Sequence, residues 1–96
     1  MEYNLIVTEF AKEESIEAFL WYESRKEGLG EEFFEELDEL YDYIEENPNL
    51  FPVKRKGIYY EAVVKRFPFV VVYAVDEPII RVLSVFKTPQ DSAKKP

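Results

Sequence analysis

The chain has 96 residues with no cysteine and no histidine, which excludes disulfides, thiolate metal sites and the commonest general acid–base side chain. Its 47% hydrophobic and 17% aromatic content implies one ordered globular domain over 1–96, and no run approaches the ~20 apolar residues that span a bilayer, so a cytoplasmic protein with no cofactor or metal is expected. The net charge of −8 is unevenly divided: residues 1–53 carry 16 acids and 3 bases, residues 54–96 carry 4 acids and 9 bases. That split predicts an acidic face and a basic face; the basic one suits an acidic partner, and the plainer reading is a solvated acidic helix pair beside an ordinary sheet.

Tyr3 to Thr8 alternates loosely and reads as a short strand, with Thr8 placed to cap the helix that follows. Residues 9–27 form that helix, on which Ile16, Phe19, Leu20 and Glu23 fall at i, i+3, i+4 and i+7; the apolar stripe fades at Glu23 and is widened by Trp21 and Tyr22. Lys26-Glu27-Gly28 ends it, with Gly28 supplying a left-handed residue. Residues 30–47 carry the strongest helical signal, Phe33, Leu37, Leu40, Tyr41 and Ile44, with Glu31 and Glu32 in the first turn and Asn47-Pro48 as the stop. The short link Gly28-Leu29-Gly30 implies an antiparallel helix hairpin. Residues 47–57, punctuated by Pro48, Pro52 and Gly57, read as loop. Three strands follow, over 58–65, 69–75 and 79–86, separated by the turns Arg66-Phe67-Pro68 and Asp76-Glu77-Pro78; linkers this short require antiparallel neighbours. The almost wholly apolar run from Phe69 marks a central strand. Residues 88–96 read as a polar tail, mobile at its end.

The expected fold is therefore α+β, in the order β-α-α-β-β-β, with the helix hairpin on one face of a mainly antiparallel four-stranded sheet. Lys54, Arg55, Lys56, Lys65, Arg66, Arg81 and Lys87, with Tyr59, Tyr60 and Tyr73 nearby in sequence, are the candidate basic surface, expected on the open sheet face or its edge. Lys and Arg interleaved with Tyr suit a phosphate backbone, the acidic tail of a protein partner, or simple solvation of the sheet. Trp21 and Tyr22 suit either the core or a partner groove.

Taken in order, Trp21-Tyr22-Glu23, Gly28-Leu29-Gly30 with Phe33 and Leu37, Asn47-Pro48, Lys65-Arg66-Phe67-Pro68-Phe69, Val72-Tyr73 and Val82-Leu83-Ser84-Val85-Phe86 resemble the RelE/ParE toxins of bacterial type II toxin–antitoxin systems. The resemblance spans nearly the whole chain and lies on the ParE-like side, which includes plasmid stabilisation proteins. It implies a toxin neutralised by a cognate antitoxin, alone as a homodimer or in a hetero-oligomer with that antitoxin, striking either of two targets. ParE-like members poison DNA gyrase; RelE-like members cut messenger RNA on the ribosome.

The residues depart from the nuclease pattern. Transesterification needs a base for the 2′-hydroxyl, cations for the phosphorane and an acid for the leaving oxygen. Val70 and Val71 stand where nuclease members often hold Arg. The last strand runs into Lys87-Thr88-Pro89-Gln90, keeping one cation with no Tyr or His after it, and the basic ending of ParE-like relatives is degraded as well. A nuclease would have to draw on Lys65, Arg66, Arg81 and Lys87. The sequence thus favours action by protein binding, with a ribosome-dependent endonuclease and an attenuated, non-toxic binding homologue as the alternatives.

Overall fold

The computed structural model of the chain describes residues 2–54 and 59–88, Lys54 by its backbone alone. Arg55, Lys56 and the tail from 89 onward lie outside the described residues. Seven elements follow one another: β1 (Asn4–Val7), α1 (Glu9–Arg25), α2 (Leu29–Glu46), β2 (Val53–Lys54), β3 (Tyr59–Val63), β4 (Phe69–Asp76) and β5 (Ile79–Lys87). The strands form one sheet in the order β1-β5-β4-β3-β2. β1 lies parallel to β5 and every other pairing is antiparallel, so the α+β architecture read from the sequence is the one found. The addition is β2, a two-residue strand inside the stretch expected to be loop, where Val53 and Lys54 pair with Tyr60 and Tyr59.

α1 begins because Thr8 is extended (ψ 162°) and its hydroxyl oxygen accepts from the Ala11 amide, while the same hydroxyl donates to the Val82 carbonyl. One residue therefore caps the helix and ties it to β5. Gly28, at φ 88°, makes the turn into α2 that a side chain would strain. The Asn47 amide closes α2 by donating back to Tyr43 and Ile44, and Pro48 prevents continuation.

The core lies between the helix hairpin and one sheet face. Phe33, Leu37 and Ile44 of α2 are buried there with Ala62, Val71, Tyr73, Ile80, Val82 and Val85. Tyr73 stacks on Tyr60 with ring centres 5.1 Å apart, and its hydroxyl donates to the Pro48 carbonyl at 2.7 Å. That bond fixes the chain leaving α2 against the central strand. Val70, on the opposite face, is buried between its cross-strand neighbours Val63 and Phe86.

α1 corrects the sequence reading. Its buried residues are Ala11, Ser15, Ala18 and Tyr22, whereas Ile16 is 52% and Leu20 60% exposed. Small side chains let the helix axis come close to the sheet, and the polar one is satisfied locally, since the Ser15 hydroxyl donates to the Ala11 carbonyl. Glu14 on this helix also completes β5. β1 pairs with β5 only as far as Val82, and beyond it one Glu14 oxygen accepts from both the Ser84 hydroxyl and the Val85 amide. An edge donor that would otherwise invite another strand is thereby closed.

Burial also sets an alkaline limit on the fold. It pushes the Tyr41 hydroxyl up to about 12, against a smaller opposite pull from Ser15, and it moves Tyr22 and Tyr73 in the same direction. In the unfolded chain these hydroxyls ionise near pH 10, so the folded state keeps protons that the unfolded state has lost. The stability this provides is complete below about pH 10 and disappears between about 10 and 12. The unfolding free energy should therefore fall between pH 9 and pH 11.5, and Tyr41→Phe should recover part of the fall. Denaturant titrations at three pH values check this; a flat profile would mean that water reaches these hydroxyls.

Candidate functional site

The basic candidates do not assemble into one patch. Lys65 and Arg66 occupy the turn between β3 and β4, which is closed by the Val64 amide donating to the Phe69 carbonyl. Arg66 has a left-handed backbone (φ 69°) and its guanidinium ends on α2, donating to Glu32 at 2.7 Å and to Glu36 at 3.0 Å. These two carboxylates raise its pKa, with the Glu32 hydrogen bond the larger cause, so Arg66 is neither an acid nor an open anion site. A phosphate would have to displace two hydrogen-bonded carboxylates from the same planar fork. Lys65 lines a cleft between α2 and β3 beside Glu36 and Glu39.

Arg81 alternates with the fully buried Ile80 and Val82, so it stands on the sheet face away from the helices, 4.0 Å from Asp76. Lys87 is six positions further along β5, roughly 20 Å at the rise of a strand. It leans toward α1, with its ammonium 5.1 Å from the Trp21 ring centre. Three of the four cations a nuclease would use thus point to three different surroundings. Tyr60 and Tyr73 are stacked on each other inside the helix-facing layer, and the Tyr73 hydroxyl is engaged as the donor to the Pro48 carbonyl. Among the described residues no group of three or more Asp or Glu side chains is placed to hold a metal. No described helix is long and apolar enough to cross a membrane.

Trp21 and Tyr22 separate, as neighbours on a helix must. Tyr22 is a core residue whose ring meets Phe33, Phe67 and Phe69. Trp21 is half-exposed, with the Arg25 guanidinium 4.3 Å from its ring centre. The reading from sequence offered core or partner groove for both; the fold puts Tyr22 in the core and leaves Trp21 half-exposed.

What the outward turn of α1 creates is an apolar surface. Phe10, Ile16 and Leu20 are each more than half exposed on it. Beside Ile16 a crevice of about 260 Å³ opens between the two helices, lined by Val7, Lys12, Ser15, Phe34, Leu37, Asp38 and Tyr41. Exposed aliphatic side chains at i and i+4 next to an apolar crevice have the spacing and chemistry to take the apolar face of another helix. Hydropathy periodicity marked Ile16 and Leu20 but placed them inside. The missing signal was the parallel series Ala11, Ser15, Ala18 and Tyr22, which has the same helical spacing and smaller side chains.

No family model matches the chain, and no curated protein does. Among solved structures, a chain from the chromosomal ParDE TA system of P. aeruginosa superposes on it with a TM-score of 0.80, covering 92% of this chain and 98% of that one at 15% identity. The two chains share one fold. The ParDE-system chain is matched almost from end to end, so the helix hairpin and the sheet correspond as a whole and not through a shared fragment. This is the architecture that the ordered motifs of the sequence led one to expect.

Proposed function

We propose that the chain is the toxin of a bacterial type II toxin–antitoxin pair, ParE-like in mode, which acts by binding a protein target and is silenced by a cognate antitoxin. By the family resemblance that target is DNA gyrase. The observation that carries this is the end-to-end fold shared with the ParDE-system chain, which coincides with sequence motifs spread over the same length. The apolar stripe on α1 supports a protein partner, and its geometry suits an antitoxin helix laid along Ile16 and Leu20. The dispersed cations, with Arg66 already occupied by Glu32 and Glu36, support binding over RNA cleavage.

Expression from a tightly controlled promoter tests the reading. Growth should arrest, with filamentation, DNA breaks and intact messenger RNA. Codon-phased cuts in messenger RNA would replace this proposal by the endonuclease reading, and continued growth with the protein folded would replace it by the attenuated homologue. Co-expression of a short neighbouring open reading frame should restore growth. Ile16→Asp together with Leu20→Asp should leave the fold intact, because both residues are more than half exposed, yet weaken capture of that antitoxin by about 100-fold or more in a binding titration. Undiminished affinity would move the antitoxin to another face.

A further inference from the structure

Two cations of this acidic chain converge on its single tryptophan. The Arg25 guanidinium carbon lies 4.3 Å from the centre of the Trp21 ring, and the Lys87 ammonium 5.1 Å from it. Among the described residues the ion pairs are Arg66–Glu32, Arg66–Glu36 and Arg81–Asp76; neither Arg25 nor Lys87 belongs to one. An indole face attracts a cation through its quadrupole but brings no net charge to neutralise it. Two positive charges on one ring therefore repel each other, and a carboxylate set beside them is attracted by both. Trp21 is 47% exposed, so the corner is open to a ligand.

The three side chains rise from fixed backbone. Trp21 and Arg25 stand one turn apart on α1, whose last residue is Arg25. Lys87 closes β5 opposite Phe69, and the amide and hydroxyl of Thr88 after it both donate to the Pro68 carbonyl. A ligand meets a corner already assembled, which lowers the ordering cost of binding.

Beside this corner a cleft of about 410 Å³ runs between α1 and β5. Its floor is apolar, made by Ala18, Phe69 and Val85, and its wall carries Glu14 and Glu17. Glu14 is occupied by Ser84 and Val85, while Glu17 joins none of the ion pairs. Along three turns of α1, about 16 Å, the charge thus passes from negative to positive. We propose that this cleft binds an acidic peptide segment of a partner protein, with an Asp or Glu carboxylate at the Trp21–Arg25–Lys87 corner and a neighbouring apolar side chain on the floor. A nucleic acid is disfavoured because the phosphates that follow the first along the cleft would meet Glu14 and Glu17. The inference rests on the protein-binding reading above and adds to it the chemistry of the partner.

Trp21 is the only tryptophan, so its fluorescence reports on the corner in the unlabelled full chain. The probes are a capped peptide with a glutamate pair beside two leucines, its glutamine counterpart, and an oligothymidylate of similar length. The glutamate peptide should give a saturable change, weakened at least about tenfold by the glutamine replacement, weakened comparably by Lys87→Gln, and weakened again by added salt. Lys87→Gln should unfold at the same denaturant concentration as the parent, since Lys87 is exposed. Equal binding of the two peptides, or of parent and Lys87→Gln, overturns the carboxylate site. A saturable response to oligothymidylate with the glutamate peptide silent overturns it in favour of nucleic acid, and silence from every probe up to about 1 mM overturns it outright. Growth arrest is read separately: arrest without peptide binding removes this inference alone, and peptide binding without arrest removes the toxin reading alone.

Discussion

Phe33→Ala is expected to remove about 3–5 kcal/mol of stability, the range for truncating a fully buried aromatic ring. Phe33 has no exposed surface. Its ring is met by Tyr22 from α1 at 5.5 Å, by Phe67 from the β3–β4 turn at 5.3 Å and by Phe69 from β4 at 4.9 Å. Each neighbour is anchored by a different element, so the walls of the resulting cavity cannot close without moving a helix or a strand. Domains of this size are stable by about 5–15 kcal/mol, so the variant should sit near the edge of folding at physiological temperature. Phe33→Leu, which keeps most of the volume, should cost only about 1–1.5 kcal/mol. Urea titrations of the three proteins decide the matter. A loss below about 1 kcal/mol for alanine would show that the aromatic cluster repacks freely and is not what joins the hairpin to the sheet.

The same cluster explains which parts of the fold could be read from the sequence. Each large apolar residue of α2 that set the period, Phe33, Leu37, Leu40, Tyr41 and Ile44, is buried or half-buried, because that helix lies across the sheet and needs bulk to fill the gap. α1 turns mostly small residues inward, Ala11, Ser15 and Ala18 before Tyr22, so the bulky aliphatics Ile16 and Leu20 that weigh in a hydropathy pattern were left for the outside. The pattern was real but rotated: Tyr22 is buried and Phe19 half-buried, while Ile16, Leu20 and Trp21 turn outward. The strands from Phe69 onward were legible because their linkers are too short for any connection but a hairpin. β2 was not, since two residues carry no period. The pairing of β1 with β5 was beyond reach too: it joins Asn4 to Ile79, and nothing local in either segment names the other.

The candidate site divides along the same line. Trp21, Arg25 and Lys87 meet only because α1 and the end of β5 are neighbours, and Arg66 is taken out of the basic set by carboxylates 30 and 34 residues away. Sequence separation hides both effects. It lists charges without their partners, and here partnership distinguishes a cation that is spoken for from one that remains available.

Glu23→Ala is expected to cost about 2–3 kcal/mol, an unusual amount for a glutamate near the end of a helix. Its carboxylate leaves α1 and accepts from two amides of the next turn, Gly28 at 2.8 Å and Gly30 at 2.9 Å. Gly28 is the cap residue of α2 and offers no side-chain bond of its own, so Glu23 does the capping from the preceding helix. A negative charge at that position also suits the positive end of the α2 dipole. The arrangement requires the two helices to touch at Gly30: a Cβ there would lie 2.7 Å from the Phe19 carbonyl oxygen and 2.9 Å from the Glu23 carboxylate itself. Gly30→Ala should therefore be destabilising by about 1–3 kcal/mol, although alanine is the better helix former. Because both changes break the same clasp, the double variant should lose clearly less than the two single losses added together. Glu23→Gln, with one acceptor oxygen and no charge, should fall between the parent and Glu23→Ala. Full additivity in urea titrations would mean that the residues act separately. The coupled result would explain why Trp21-Tyr22-Glu23 and Gly28-Leu29-Gly30 occur together: Tyr22 enters the core, Trp21 stays at the surface, and Glu23 locks the turn that holds both in place.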